Sequence, residues 1–121
     1  MNLFLSIEIK KWFDNENDIS NENLRNAAKE ITEGIYEANL GGHLYKKRIS
    51  NSSSKGKSAG SRLIIAYKKG SDIFFMYAFN KNERSTITNK ERMALKARAK
   101  FILEWVKKKL KTPFPPKYFT G

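Results

Sequence analysis

The chain has no cysteine, one histidine (His43) and three prolines among its 121 residues, and its 12 carboxylates face 24 lysines and arginines. Without cysteine there are no disulfides, no thiol nucleophile and no zinc–thiolate site. A single histidine excludes a histidine-rich metal cluster and a two-histidine acid–base pair; no cofactor is expected. No apolar run approaches the ~18 residues needed to cross a bilayer. The short apolar start is interrupted by Glu8, Lys10 and Lys11, unlike a secretory signal. These absences predict one soluble cytoplasmic domain over residues 1–121, with a short Pro/aromatic tail at 112–121 and no membrane partner.

What is present is cationic charge and enough apolar material for a core. Apolar residues make up 40% of the chain, aromatics 12%, and the formal net charge is +12. The charge is uneven. Residues 1–45 hold four basic and eight acidic side chains, and residues 46–121 hold the other 20 basic and four acidic. An acidic front and a basic back predict one surface that attracts a polyanion, with nucleic acid ahead of an anionic membrane.

The front half reads as helical after a short strand over Met1–Leu5. Ile9, Trp12 and Phe13 share a side of a helix over Ile7–Phe13. A second helix starts at the N-cap Ser20, with a stripe of Leu24, Ala28, Ile31, Ile35 and Ala38 that runs to Gly41-Gly42. The back half changes period. Leu44–Ile49, Arg62–Tyr67 and Ile73–Phe79 read as three antiparallel strands, the first two separated by the polar loop Ser50–Gly60. Strict alternation places Ile73, Phe75, Tyr77 and Phe79 on one face of the last strand, and Phe74, Met76 and Ala78 on the other. Thr88-x-x-Glu91 is a capping box for a closing helix to about Leu110. The expected fold class is therefore α+β: a small antiparallel sheet, made of the N-terminal strand and a three-stranded meander, packed with two N-terminal helices and a C-terminal helix.

Several cations stand where they could carry function. Alternation sends Lys46 and Arg48 to one face of their strand and Lys47 to the other. With Lys55 and Lys57 in the adjoining loop, this segment suits a phosphate backbone, or equally an edge strand protected by charge. Arg62 heads an apolar strand and offers a planar fork to a phosphate, or an ion pair to a carboxylate. Lys81, Glu83 and Arg84 sit at the rim of the sheet as an acid–base and charge-stabilising set, or as an ion-paired turn. Lys107 and Lys108 close the last helix, where cations complement the helix dipole and can also touch phosphate.

In order, the segments GGHLYKKRIS, GKSAGSRLIIAYKKG and IFFMYAFNKNERSTI resemble the RelE/ParE superfamily of bacterial toxins, and within it the HigB-like RelE-type group. The likeness covers about residues 1–104 and rests on Lys46/Arg48, Gly60-Ser61-Arg62 and Lys81-Asn82-Glu83-Arg84. It implies a toxin of a type II toxin–antitoxin system, a metal-independent mRNA interferase that cuts messenger RNA on the ribosome and arrests growth. It also implies a cognate antitoxin, a helix-turn-helix protein. The ribose 2′-hydroxyl attacks the adjacent phosphate in such enzymes. By resemblance, Lys46 or Arg48 acts near that hydroxyl, Arg62 on the phosphate charge, and Arg84 or Lys81 near the leaving oxygen. Lys47, Lys55, Lys57, Glu83, Lys107 and Lys108 would contact RNA or the ribosome.

The chain departs from the family at two points. Asn82 stands where RelE-type enzymes carry arginine, and Thr88 stands near the place of their tyrosine. Tyr118, Phe119 and His43 are the candidates to replace that group. Two other readings stay open: a nuclease-inactive relative that poisons DNA gyrase, and a basic nucleic-acid-binding module without catalysis. Arg62→Ala is expected to abolish growth arrest and leave the fold intact.

Overall fold

The computed structural model describes residues 2–15, 20–49, 61–80, 84, 86–108 and 118–119. Within them a six-stranded mixed sheet in the order β2-β3-β4-β5-β1-β6 is sandwiched between two helices on one face and one on the other. The elements run β1 (Leu3–Ser6), α1 (Ile7–Asp14), α2 (Asn21–Thr32), β2 (Ala38–Gly41), β3 (Leu44–Ile49), β4 (Ser61–Ala66), β5 (Ile73–Asn80), α3 (Asn89–Lys108) and β6 (Tyr118–Phe119). The α+β class and the three helices are as expected.

The sheet is larger than the meander. β3, β4 and β5 pair antiparallel, but β1 lies parallel to β5, with Leu3, Phe4 and Leu5 opposite Ile73, Phe74 and Phe75. β6 adds parallel to β1. A fully antiparallel sheet is thus corrected to a mixed one. β1 is tied at once to α1, because Ser6 ends the strand and its buried hydroxyl accepts from the Ile9 backbone N–H at 3.2 Å.

The second correction is at the end of α2. Its N-terminus is as expected: Ser20 Oγ accepts from the Asn23 N–H, and the Asn23 side chain accepts from the Ser20 N–H. The helix stops at Thr32, well before Gly41-Gly42. Gly34 adopts φ 81°, which a side chain would oppose. The Gly34 N–H then reaches the Ile31 carbonyl and the Ile35 N–H reaches the Glu30 carbonyl, the paired bonds of a Schellman cap. Ile35, half exposed, therefore leaves the apolar stripe. Ala38 begins a strand instead, and Gly41-Gly42-His43, all at positive φ, turn β2 back into β3.

The two faces of the sheet hold separate cores. Leu5, Ile49, Leu63, Ile65, Ile73, Phe75 and Ala78 pack against Ile9 of α1 and Leu24, Ala27, Ala28 and Ile31 of α2. On the other face Phe4, Leu44, Ile64, Ala66, Phe74, Met76 and Phe79 pack against Leu95, Ala99, Ile102 and Leu103 of α3. β4 is buried along its whole length, as a central strand covered on both sides must be. Among the described residues no helix is long and apolar enough to cross a membrane.

Candidate nucleic-acid interface

The candidate site grows out of register. Across β3, β4 and β5, Leu44, Ala66 and Phe74 make one row on the α3 face. Lys46, Ile64 and Tyr77 make the next, and Arg48, Arg62 and Phe79 the third. Strands lie ~4.8 Å apart and alternate residues ~7 Å apart along a strand, so Lys46, Arg48 and Arg62 spring from points within about 10 Å of one another. The first row lies in the core shared with α3. The other two carry the charge.

A β-bulge completes the rows. Ile64 pairs with Tyr77 and Ile65 with Phe75, which leaves Met76 as the extra residue of β5. That extra residue shifts the phase of the strand. Tyr77 and Phe79 therefore join Phe74 and Met76 on the α3 face, and the strict alternation expected for this strand is corrected there. The Tyr77 and Phe79 rings lie 6.2 Å apart.

Arg84 closes this side. Its guanidinium sits 5.7 Å from the centre of the Phe79 ring, and Nη1 donates to the Tyr77 hydroxyl at 3.3 Å. Nη2 and Nη1 donate to the two oxygens of Glu91 at 2.5 and 3.2 Å. Glu91 is also the capping-box residue of α3, accepting from the Thr88 N–H at 2.8 Å while Thr88 Oγ1 accepts from the Glu91 N–H at 3.1 Å. One carboxylate thus ties Arg84 to the start of α3. The hydrogen bonds from Arg84 and then from the Thr88 N–H hold the Glu91 carboxyl at about 2, against an ordinary 4.5. The same bond to Glu91 raises the affinity of Arg84 for its proton.

Arg62 differs from what its place at a strand head suggests. Only 3% of it is exposed, so it is a buried charge and not the surface residue that an Arg62→Ala change harmless to the fold assumes. Its Nε donates to Glu37 Oε1 at 2.8 Å, and its Nη1 is buried with no hydrogen-bond partner among the described residues. Glu37 Oε1 is also 3.5 Å from Lys46 Nζ. Burial pushes the Glu37 carboxyl up, but the hydrogen bond and charge of Arg62, with Lys46 behind them, outweigh that and keep it below its ordinary value. Sequence reasoning missed Glu37 as a member of the site. The signal available was Gly41-Gly42 between Leu40 and Leu44, which marks a hairpin turn and folds residue 37 back beside the basic strand.

The remaining candidates divide. Lys47 points to the opposite face, where its ammonium lies 2.6 Å from Glu30 of α2 and its side chain is buried. The structure separates it from Lys46 and Arg48. Lys55, Lys57, Lys81 and Glu83 lie outside the described residues, as does Asn82. Lys107 and Lys108 fall on the last turn of α3. His43 sits in the β2–β3 turn, five residues or roughly 17 Å of strand from Arg48. Tyr118 and Phe119 pair with Leu5 and Ser6, three strands or roughly 14 Å from β4. Tyr77 is the phenol that the structure brings to Arg84.

This sheet face gathers Lys46, Arg48, Arg62 and Arg84 beside the Tyr77 and Phe79 rings, with Glu37 against Lys46 and Arg62 and Glu91 against Arg84. No curated protein matches the chain. The family model described as RelE toxin of RelE / RelB toxin-antitoxin system matches residues 1–120. With that match over nearly the whole sequence, and the sheet and cations in place, the chain belongs to the RelE family, toxins of toxin–antitoxin systems.

Proposed function

We propose that this toxin is a ribosome-dependent endoribonuclease that cuts messenger RNA and is neutralised by a helix-turn-helix antitoxin. The reaction is an internal transfer: O2′ of a ribose bonds to the adjacent phosphorus, and the P–O5′ bond breaks. A 2′,3′-cyclic phosphate and a free 5′-hydroxyl result, with the 2′-hydroxyl proton lost and one gained by the leaving oxygen. Charge accumulates on the phosphoryl oxygens, so fixed cations are the groups that lower the barrier. Arg62 serves that charge, Lys46 and Arg48 face the 2′-hydroxyl side, and Arg84 with the Tyr77 hydroxyl faces the leaving oxygen. The observation that carries this reading is the register itself, which gathers three cations from two strands and sets Arg84 over the Phe79 ring beside them.

The test is a translation reaction with purified ribosomes and a defined message, read by mapping new RNA 5′ ends. Discrete cuts that need the ribosome and disappear with Lys46→Ala are the expected result. An intact message with normal peptide synthesis overturns the reading and leaves a toxin that acts by binding, as a gyrase poison or a nucleic-acid-binding module does.

A further inference from the structure

The most exposed large apolar side chains among the described residues are Met93, at 71%, and Phe101, at 68%, and both stand on α3. That helix turns Leu95, Ala99, Ile102 and Leu103 to the sheet. At 3.6 residues per turn its far side carries Lys90, Met93, Ala97, Phe101 and Glu104, all exposed. Their steps are three, four, four and three, the spacing of a helix–helix seam, and the series is the same from either end. Its chemistry is complementary under that reversal. About Ala97 as the centre, Met93 mirrors Phe101 and Lys90 mirrors Glu104. Among the described residues, the ion pairs that α3 makes within its own chain are Glu91 with Arg84 and Arg98 with Glu8. Neither Lys90 nor Glu104 is in one, and Lys100, one turn from Glu104, is not either.

We propose that the outer face of α3 is an interface for a second copy of this chain, packed antiparallel across a two-fold axis at Ala97. Such an interface uses one patch twice, so every contact occurs in a symmetric pair. Each Met93 thioether meets the partner's Phe101 ring about 6 Å along the helix from the axis, and each Lys90 ammonium meets the partner's Glu104 carboxylate about 10 Å from it. Ala97 brings only a methyl group to the axis, which lets the two backbones approach closely there. Lys100 flanks the seam, with its aliphatic stem against the partner's Ala94. Two facing helices bury less than the ~1,600 Å² of a standard stable complex, and each chain brings a net charge of +12. The pairing is therefore weak and reversible, with a midpoint of about 0.1 mM.

Sedimentation equilibrium of the whole chain tests this, at about 0.3 M salt, where a Debye length of roughly 6 Å screens the repulsion between two basic molecules. A monomer–dimer equilibrium is expected. Phe101→Ser should weaken it about tenfold. Lys90→Glu and Glu104→Lys should each weaken it about tenfold, because each turns two attractive pairs into two repulsive ones. Bulk charge would send these two variants in opposite directions, since one lowers the net charge of the chain and the other raises it. The double variant Lys90→Glu/Glu104→Lys restores both pairs and should return to within about twofold of the unmodified chain. A chain that stays monomeric at about 1 mM overturns the proposal and leaves the stripe to a different protein, such as the antitoxin. A dimer that ignores the single variants, or that the double variant fails to restore, overturns it too. The absence of cysteine allows a second measurement. Ala97→Cys puts the only thiol on the axis and should form a disulfide-linked dimer under mild oxidant at least about fivefold faster than Asn26→Cys, on exposed α2. Equal rates overturn the proposal. Neither measurement needs ribosomes or RNA, so the nuclease reading and this one can fail separately.

Discussion

Lys46 and Lys47 are neighbours in sequence and lie on opposite faces of one sheet, and their surroundings explain what each face is for. On the α1/α2 face two amphipathic helices cover the strands, and the one cation sent there, Lys47, is tied to Glu30 of the covering helix. On the other face α3 packs over the row of Leu44, Ala66 and Phe74, while Lys46, Arg48 and Arg62 fill the rows beyond it. The first cation completes a helix–sheet seam. Of the others, Lys46 and Arg62 meet Glu37, on the hairpin that borders β3. A basic run in a strand is thus two different things at once, and the covering layer decides which residue is which.

The comparison breaks most sharply at the buried pair. Glu37→Ala leaves Arg62 buried and uncompensated and should cost about 3 kcal/mol of stability, read by urea unfolding. Replacing the cation by a residue of similar shape, Arg62→Met, should cost less than Glu37→Ala, because the Glu37 left behind is 35% exposed to water and keeps Lys46 beside it. The same Arg62→Met should lower ribosome-dependent cleavage about 10²- to 10³-fold, the loss of one fixed charge at a developing oxyanion. Stability retained with cleavage lost would separate the two roles of Arg62. Cleavage retained by Arg62→Met would mean that its burial serves the fold alone.

The adjacent lysines supply the next contrast. Lys46→Met should reduce cleavage by about 10²-fold or more, because it removes a cation on the reacting face. Lys47→Met should leave cleavage unchanged and alter stability by about 1 kcal/mol at most, since Glu30 is solvated once its partner goes. Equal losses of cleavage from both would deny that the two faces differ in function.

Much of this division can be read from the amino-acid order. Alternation alone sends Lys46 and Arg48 one way and Lys47 the other, and Ser20 and Thr88-x-x-Glu91 mark helix starts where the caps form. What escapes is non-local or depends on a single backbone residue. The apolar spacing of Ile35 and Ala38 continues the α2 stripe, yet Gly34 in the left-handed region ends the helix first, and propensity summed along a stripe does not register one such residue. Four residues of β1 do not encode whether the strand joins β5 parallel or antiparallel; the docking of α1 decides that. The bulge at Met76 is set by pairing between β4 and β5, so the side of the sheet taken by Tyr77 and Phe79 is legible only once the strands are aligned. The place of Arg62 opposite Phe79 is legible only from the same alignment.

The smallest expected effect tests how the open face is held to its helix. Glu91 has a carboxyl pKa of about 2 in the folded chain against an ordinary 4.5. A carboxyl lowered in this way contributes stability that is complete above its unfolded value and lost as the pH falls through its folded one. The contribution of the Arg84–Glu91 contact should therefore be intact above about pH 5 and fade between about pH 4.5 and 2. Circular dichroism of α3 against pH should show this acid limb, and Glu91→Gln should flatten it. Arg84→Gln discriminates further, because it removes the larger cause and leaves the Thr88 N–H in place. Its acid limb should narrow toward 4.5 without vanishing. An Arg84→Gln limb as wide as that of the unmodified chain would mean that the helix cap alone lowers Glu91, and that Arg84 is free to leave α3 when RNA arrives.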